Sequence, residues 1–150
     1  MKKLIVAIIL ISAVSISAQA QELGLRFGDS YGGFDENISI DGTLPFGKSR
    51  LHADLNLGNA LGVDVLWDFF VKPISDVQGL HWYVGAGGST IIDDNIFFLG
   101  GAGEIGLEYK FDFPMSLGLD YRPTYWIVDE GLDLGFENYF GLNVRYRFKK

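Results

Sequence analysis

Beyond residue 21, the dominant pattern of the sequence is an alternation of apolar and polar residues with a period of two. Successive side chains of a β-strand point to opposite faces, so this period is typical of strands with two unlike faces. The segment 50–58 shows it without interruption, with leucine or alanine at each odd position and His52, Asp54 and Asn56 between them. No stretch of useful length has a helical period. The pattern therefore predicts an all-β chain.

Eight alternating segments follow one another, separated by turn-forming residues. We predict strands at 22–28, 34–42, 50–58, 61–72, 80–88, 96–111, 115–127 and 133–148. The predicted turns are at 30–33, 45–47, 58–59, 73–79, 93–95, 112–114 and 129–131. The second segment is less regular because Glu36 falls on its apolar side. The fourth is less regular because Leu66 and Phe70 fall on its polar side.

The first twenty residues predict an export signal. Lys2 and Lys3 form a positive start, an apolar run covers 4–14, and Ala18 and Ala20 frame a small-residue cleavage site. The apolar run is too short for a spanning helix, which needs about 20 residues to cross a hydrocarbon core of ~30 Å. We therefore expect a signal peptide at 1–20 and a single β-barrel domain at 21–150.

The composition excludes several classes of function. Without residues 1–20, ten lysines and arginines stand against 19 acidic residues, which gives a formal net charge of −9. Such a chain does not suit nucleic acid, whose phosphates need a basic surface. The sequence contains no cysteine, which excludes disulfides, a thiol nucleophile and a cysteine-bound metal. Stability must then come from packing and from closure of the sheet.

The apolar faces of the strands can point inward or outward. In a soluble barrel or sandwich they form the core, whereas in a transmembrane barrel they face lipid and the polar faces line the lumen. Three observations favour the second arrangement. The polar faces are rich in glycine and in charges of both signs, and aromatic residues of the apolar faces cluster toward strand ends. The last four segments reach about 9–16 residues, against about 5–6 in soluble proteins.

We therefore predict an eight-stranded antiparallel up-and-down transmembrane β-barrel with its apolar side outward. Several segments resemble small outer-membrane β-barrel proteins of Bacteroidetes-type bacteria, in the broad OmpA/OmpX-like class. They are residues 82–88, 106–111, 117–123 and 144–148. The resemblance covers most of the C-terminal half, while the N-terminal half matches only in pattern.

This resemblance implies a location in the cell outer membrane of a Gram-negative bacterium. The surroundings would be outer-membrane lipid and lipopolysaccharide. It also implies that the barrel insertion machinery reads the C-terminal strand through its terminal aromatic residue, here Phe148. Lys149 and Lys150 follow that residue and depart from the usual ending.

The predicted lumen face carries most of the charged residues of the strands. Hairpin turns at the predicted positions place Arg122 between Glu104 and Glu137, and closure of the last strand on the first brings Glu22 near Arg147. We expect these groups to pair and fill the lumen. Buried charges are tolerated when paired, and small eight-stranded barrels are filled by side chains.

The sequence predicts no catalytic, cofactor-binding or metal site. His52 and His81 are the only histidines, and neither stands beside a serine in a nucleophile pattern. Residues 93–95 resemble a fragment of a calcium loop but lack the full ligand spacing and the distal glutamate. The glycines within 85–88 and 100–103 lie inside predicted strands with no following helix, unlike those of phosphate-binding loops.

These features predict an integral outer-membrane barrel with a structural or interaction role, a side-chain-filled lumen and no enzymatic activity. A water-filled porin takes about 16–18 strands, and the predicted loops are short for an adhesin. Two other hypotheses stay open. One is a soluble periplasmic β-barrel that binds a small apolar ligand, and the other is a lipid-modifying outer-membrane enzyme. Nothing in the residues points to a particular protein partner.

Overall fold

The computed structural model describes residues 22–28, 38–57, 60–92, 97–128 and 135–148. Their strands are β1 (Glu22–Gly28), β2 (Ile38–Phe46), β3 (Ser49–Leu57), β4 (Leu61–Pro73), β5 (Leu80–Ile92), β6 (Phe97–Lys110), β7 (Met115–Val128) and β8 (Phe136–Arg147). Each strand pairs antiparallel with the next, and β8 pairs with β1, so the sheet closes. The prediction of an all-β, eight-stranded, up-and-down barrel is confirmed.

Two sets of predicted features lie outside the described residues. The first is the export signal at 1–20. The second is the group of predicted turns at 30–33, 58–59, 93–95 and 129–131. Within the described part of the chain, no helix is long and apolar enough to cross a membrane.

The strands follow the predicted order, with differences at their ends. β2 extends to Phe46 instead of ending at Gly42, so Pro45 belongs to the strand and only residues 47–48 form the turn to β3. Gly47 has φ of 64° there, a left-handed conformation that glycine adopts without steric cost. β5 continues past Gly88 to Ile92, where its residues pair with both β4 and β6.

The barrel is polar inside and apolar outside. Among the described residues, 18 polar or charged side chains are buried, against six hydrophobic ones. The hydrophobic six are Leu66, Tyr83, Ile91, Phe98, Ala102 and Trp126. Large apolar side chains point outward instead, such as Leu119 with 56% and Ile127 with 69% of its surface exposed. The alternation therefore survives folding with the polar face as the interior.

β4 changes face part-way along its length. Its register with β5 shifts between Trp67 and Phe70, and such a bulge inserts one extra residue into the alternation. Leu66, before the bulge, is a buried lumen residue, and Phe70, after it, is exposed on the outside. An uninterrupted period of two from 61 to 72 places Val71 outward and Lys72 inward. The inserted residue exchanges their faces, so that Lys72 Nζ lies outside, 4.7 Å from the ring centroid of Phe70.

Aromatic side chains gather near both ends of the outer surface. We call the end where residues 47–48, 74–79 and 111–114 join strands the turn end, and the opposite end the vestibule end. Near the turn end lie Phe46, Trp67, Phe69, Phe70, Trp82, Tyr109, Phe111, Phe113, Tyr146 and Phe148. Toward the vestibule end lie Phe27, Phe97, Tyr125 and Phe136. Many of those at the turn end contact one another, as Tyr146 does Phe148 with ring centroids 5.2 Å apart.

The barrel interior as candidate functional site

Glycines on the lumen face make room for large side chains. The ring of Tyr83 lies over Gly106, its register partner on β6. The guanidinium group of Arg26 lies over Gly141 on β8. A Cβ atom at either glycine would overlap these side chains. The glycine-rich polar face is therefore a surface on which bulky and charged residues lie flat and fill the lumen.

Toward the turn end, two arginines close the lumen around one glutamate. Arg50 donates from Nε to Asp68 Oδ2 at 2.6 Å and from Nη1 to Glu108 Oε1 at 3.0 Å. Arg145 donates from Nη1 to the same Glu108 oxygen at 2.8 Å and from Nη2 to Asp41 Oδ2 at 3.0 Å. All five residues are buried. Charges that are this deeply buried persist only when they are paired and hydrogen-bonded.

His52 lies at the middle of the charged interior. Its Nδ1 is 2.9 Å from Glu104 Oε1, and its Nε2 is 2.9 Å from Asp41 Oδ2. Since a carboxylate only accepts hydrogen bonds, this arrangement suits a ring that carries a proton on both nitrogens. The ring also stands edge-on to Tyr83, at 6.2 Å between centroids. His52 therefore acts as a cationic link in the ion network.

The carboxylates around His52 are close enough to resemble a metal site. Two sets of possible ligand atoms lie within 4.8 Å of one another. They are Asp41 with His52 and Asp54, and His52 with Asp68 and Glu104. Each of the four carboxylates also bonds to an arginine, and Arg145 Nη2 lies 3.0 Å from His52 Nε2. A metal ion would have to displace these guanidinium groups, so the residues fit an ion-pair network better than a metal.

Toward the vestibule end, Arg122 joins three carboxylates. Its Nη1 donates to Asp54 Oδ2 at 2.6 Å and to Asp64 Oδ2 at 2.8 Å, and its Nη2 donates to Glu104 Oε2 at 3.1 Å. The predicted pairing of Glu104 with Arg122 is confirmed. The sequence did not predict Asp54 and Asp64 as partners of Arg122. They reach it across the lumen from β3 and β4, whereas the predicted pairs came from neighbouring strands.

The prediction that Arg122 also faces Glu137 is wrong. Arg122 is the register partner of Tyr139, and Glu137 lies opposite Thr124. The Tyr139 hydroxyl donates to the Glu137 carboxylate instead. The predicted register of the β7–β8 hairpin was therefore off by two residues, which keeps the correct face but changes every cross-strand partner.

Glu22 and Arg147 were predicted to lie near each other where β8 closes on β1. They are opposite each other in register, but each forms its polar contacts with other residues. Arg147 donates to the carbonyl oxygens of Phe111 and Phe113 at the turn end. Among the described residues, the cations nearest to the Glu22 carboxylate are Lys110 and Arg145, at 3.8 and 3.9 Å.

A second arginine–aspartate pair links β1 to β7 over the intervening strand β8. Arg26 donates from Nη2 to Asp120 Oδ1 at 2.7 Å and from Nε to Asp120 Oδ2 at 3.1 Å. Such a two-pronged contact fixes both planar groups in one orientation. Asn143 donates to the same carboxylate at 2.7 Å. Residues that are far apart in sequence therefore hold β1, β7 and β8 together through the interior.

Beyond Arg122, the interior opens into a cavity of about 60 Å³, which we call the vestibule. Most of its lining is small or polar. The lining residues are Arg26, Ser39, Asp54, Asn56, Ala60, Gly62, Asp64, Ser89, Thr90, Ile91, Arg122, Thr124, Trp126 and Tyr139. Trp126 forms an apolar wall there, packed against Ile91 and Phe98.

Neither histidine is placed to activate a hydroxyl group as a nucleophile within the described part of the chain. Both ring nitrogens of His52 face carboxylates, and His81 Nδ1 is 3.0 Å from the carbonyl oxygen of Gly79. Among the described residues, neither histidine hydrogen-bonds to a serine or threonine hydroxyl. The acidic segment 93–95 lies outside the described residues, and the glycines at 85–88 and 100–103 lie in β5 and β6 as predicted.

Comparisons with known proteins add no family assignment. No protein-family model matches the sequence, and no curated protein matches it. The closed eight-stranded antiparallel barrel is the part of the resemblance to outer-membrane proteins that the structure shows.

Proposed function

We propose that the protein is an integral outer-membrane β-barrel with a structural or interaction role and a lumen filled by paired charged side chains. The observation that carries the proposal is the inverted distribution of polarity. Charged residues fill the interior, whereas large aliphatic and aromatic side chains cover the outside. A soluble protein rarely exposes apolar patches beyond a few hundred Å². In a membrane, hydrocarbon chains surround the same surface and keep it out of contact with water.

Closure of the sheet supports the same location. Lipid offers no water to unpaired backbone groups, so a strand edge inside a bilayer is costly. Here β1 pairs with β8 over seven residue pairs, and all eight strands have two neighbours. Aromatic belts near both ends match the girdles found at the two membrane–water interfaces. The outward Asn138 accepts a hydrogen bond from Tyr121 at 2.5 Å, which lowers the cost of a polar group on this face.

The filled interior argues for a scaffold rather than a channel or an enzyme. Arg145, Arg122 and Arg26 each bond inside the barrel to carboxylates of strands that are not their neighbours, so paired charged side chains occupy the lumen at their level. An apolar ligand would find only six buried hydrophobic residues among the described ones, against 18 polar or charged ones. Three of the six, Ile91, Phe98 and Trp126, are already packed against one another. This composition favours the membrane barrel over a soluble carrier. We propose outer-membrane lipid and lipopolysaccharide as its surroundings, with insertion directed by the last strand.

Cell fractionation and gel mobility test the location. The full chain, expressed with its first twenty residues in a Gram-negative host, should appear in the outer-membrane fraction. In detergent, the folded barrel should migrate differently on a gel before and after boiling. A periplasmic protein and a resident outer-membrane barrel serve as fractionation controls. Recovery in the soluble periplasmic fraction with an unchanged gel position would reject the proposal.

A charge on the outer face tests the lipid contact. Leu119→Arg should lower the free energy of unfolding in lipid vesicles by roughly 2–4 kcal/mol, because arginine is costly at the bilayer midplane. Phe113→Arg is a matched control, because both residues have 56% of their surface exposed but Phe113 lies in the connection after β6. There the cost should be about 0–1 kcal/mol. Equal losses at the two positions would contradict a membrane around β7.

A further inference from the structure

β4 extends further toward the turn end than its neighbour β3 does. The residue pair of the two strands nearest to that end is Arg50 with Asp68, and β3 begins at Ser49. β4 continues through residues 69–73, of which 70–73 pair with β5 on one side. On the other side, no strand in the described part of the chain covers them. We call this open edge, together with the turn 47–48 at its foot, the notch.

The open edge determines how deep the notch lies in a bilayer. Backbone N–H and C=O groups without a strand partner are costly in hydrocarbon and need water or polar headgroups. Residues 69–73 therefore belong at the headgroup level of the membrane that we propose around the barrel. Phe69 and Phe70 each have 43% of their surface exposed, and aromatic rings at this level are typical of the membrane–water interface.

Four aromatic rings form a continuous cluster beside the notch. Trp67 contacts Phe69 with ring centroids 5.9 Å apart. Phe70 contacts Phe69 at 6.2 Å and stacks on Trp82 at 6.0 Å. Trp67 Nε1 also donates to Ser49 Oγ at 2.8 Å, which connects the cluster to the start of β3. Such amphipathic rings lie at the level of the headgroups, so the cluster holds the notch at the interface.

Two lysines flank the notch without an acidic partner in the chain. Lys72 lies on the outer face of β4, with Nζ 4.7 Å from the ring centroid of Phe70. Lys48 lies in the turn at the foot of the open edge, and both lysines are exposed. Among the described lysines, Lys110 alone forms a salt bridge. The charges of Lys48 and Lys72 are therefore available to a partner outside the chain.

The two ends of the barrel differ in charge. The sequence stretches between consecutive strands at the vestibule end contain eight aspartates and glutamates and no lysine or arginine. They are 29–37, 58–60, 93–96 and 129–135. The stretches between strands at the turn end contain Lys48, Asp76 and Asp112, and the lysines of the notch add to the positive charge there. Lysines near a membrane surface attract anionic lipid, so such a lipid is favoured at the turn end over the opposite one.

From these observations we propose that the notch binds the headgroup of an anionic phospholipid. Its phosphate would lie between the ammonium groups of Lys48 and Lys72, and its acyl chains would run along the aromatic cluster and the apolar outer face of β4. A zwitterionic phospholipid has the same phosphate, but its own ammonium group offsets that charge. The inference rests on the proposed membrane location and adds to it a lipid class and a place on the barrel.

Fluorescence quenching by brominated lipids tests the proposal. The chain has three tryptophans, so Trp126→Phe leaves Trp67 and Trp82 as reporters beside the notch. The folded protein is reconstituted in vesicles of phosphatidylcholine and phosphatidylglycerol in fixed proportions, with bromine on the acyl chains of one lipid or the other. Both leaflets have the same composition, so the orientation of the barrel does not matter. Phosphatidylglycerol should be enriched about fivefold at the reporters, the gain expected from one lysine near a membrane surface.

A tryptophan at the vestibule end is the matched reporter. Tyr125 lies on the outer face there, with 58% of its surface exposed. Tyr125→Trp is combined with Trp67→Phe, Trp82→Phe and Trp126→Phe, so that it carries the only indole. This reporter should show no enrichment of phosphatidylglycerol. Equal enrichment at the two ends would overturn the proposal, because the preference would then belong to the whole barrel.

Charge substitutions connect the lipid preference to the notch. Lys48→Gln combined with Lys72→Gln should lower the enrichment to about one, whereas Lys48→Arg combined with Lys72→Arg should keep it. Lys110→Gln is the matched control, because its ammonium group faces Glu108 and Glu22 at 3.3 and 3.8 Å. It should leave the enrichment unchanged. The heat-dependent gel shift verifies that each variant folds.

The outcomes distinguish this inference from the proposed location. Equal quenching by the two brominated lipids, or enrichment that persists without the two lysines, would overturn the headgroup site and leave the membrane barrel in place. Quenching by neither lipid would reject both proposals, because the tryptophans would then not contact a bilayer. If Trp126→Phe does not fold, the unsubstituted chain is used, since Trp126 is buried in the barrel and adds the same background with either lipid.

Discussion

The two halves of the lumen are built from the same strands but filled differently. Toward the turn end, Arg50 and Arg145 meet at Glu108 and leave little space. Toward the vestibule end, most of the lining is small or polar, and a cavity of about 60 Å³ remains beyond Arg122. The lumen face of β5 shows the change within one strand, since Tyr83 is followed by Gly85, Gly87 and Ser89 at successive inward positions.

Two separate properties of the sequence account for the interior of the barrel. The period of two decides which side chains face the lumen, and it is the same in both halves. The size and charge of those side chains decide whether the lumen is closed or open. The half toward the turn end therefore behaves as a stabilising plug, whereas the vestibule half keeps a cavity. Substitutions in the plug should cost much more stability than substitutions in the vestibule.

The largest effect is expected at Arg145, the centre of the plug. Arg145→Met keeps the length of the side chain but leaves Asp41 and Glu108 without one of their cations. Removing one partner of a buried ion pair costs about 3–5 kcal/mol, which denaturant unfolding of the folded barrel would measure. Arg147→Met is the control, since Arg147 is only half-buried and bonds backbone carbonyls at the turn end. A loss at Arg145 no larger than that at Arg147 would show that the plug does not stabilise the barrel.

An intermediate effect is expected where Tyr83 lies on Gly106. Gly106→Ala places a methyl group where the ring now lies, so the tyrosine must move within a filled interior. Overpacking of this kind costs typically about 1–3 kcal/mol. Gly101→Ala on the same strand is the matched control, because a Cβ there meets no atom within 4 Å. Equal unfolding free energies for the two variants would refute tight packing around Tyr83.

The sequence predicts local features of this barrel well and distant ones poorly. The β6–β7 hairpin closes at the predicted place, so Glu104 and Arg122 meet as expected. The bulge after Trp67 has one signature in the alternation, which is the apolar Phe70 on the predicted polar side. Pairs that skip over one strand inside the barrel join residues 94 positions apart, as in Arg26 with Asp120, or 104 apart, as in Arg145 with Asp41. Their meeting depends on the shear of the closed sheet, which no local pattern encodes.

The smallest effect is expected at the wall of the vestibule. Ser89→Ala removes a buried hydroxyl that lines the cavity and has no hydrogen bond to another described side chain. The free energy of unfolding should change by no more than about 0.5 kcal/mol, as for substitutions away from packed or bonded features. The same denaturant titration that is used for Arg145→Met measures it. A loss close to that of Gly106→Ala would mean that the vestibule is packed as tightly as the plug. The difference between a packed half and an open half of the lumen would then lose its physical basis.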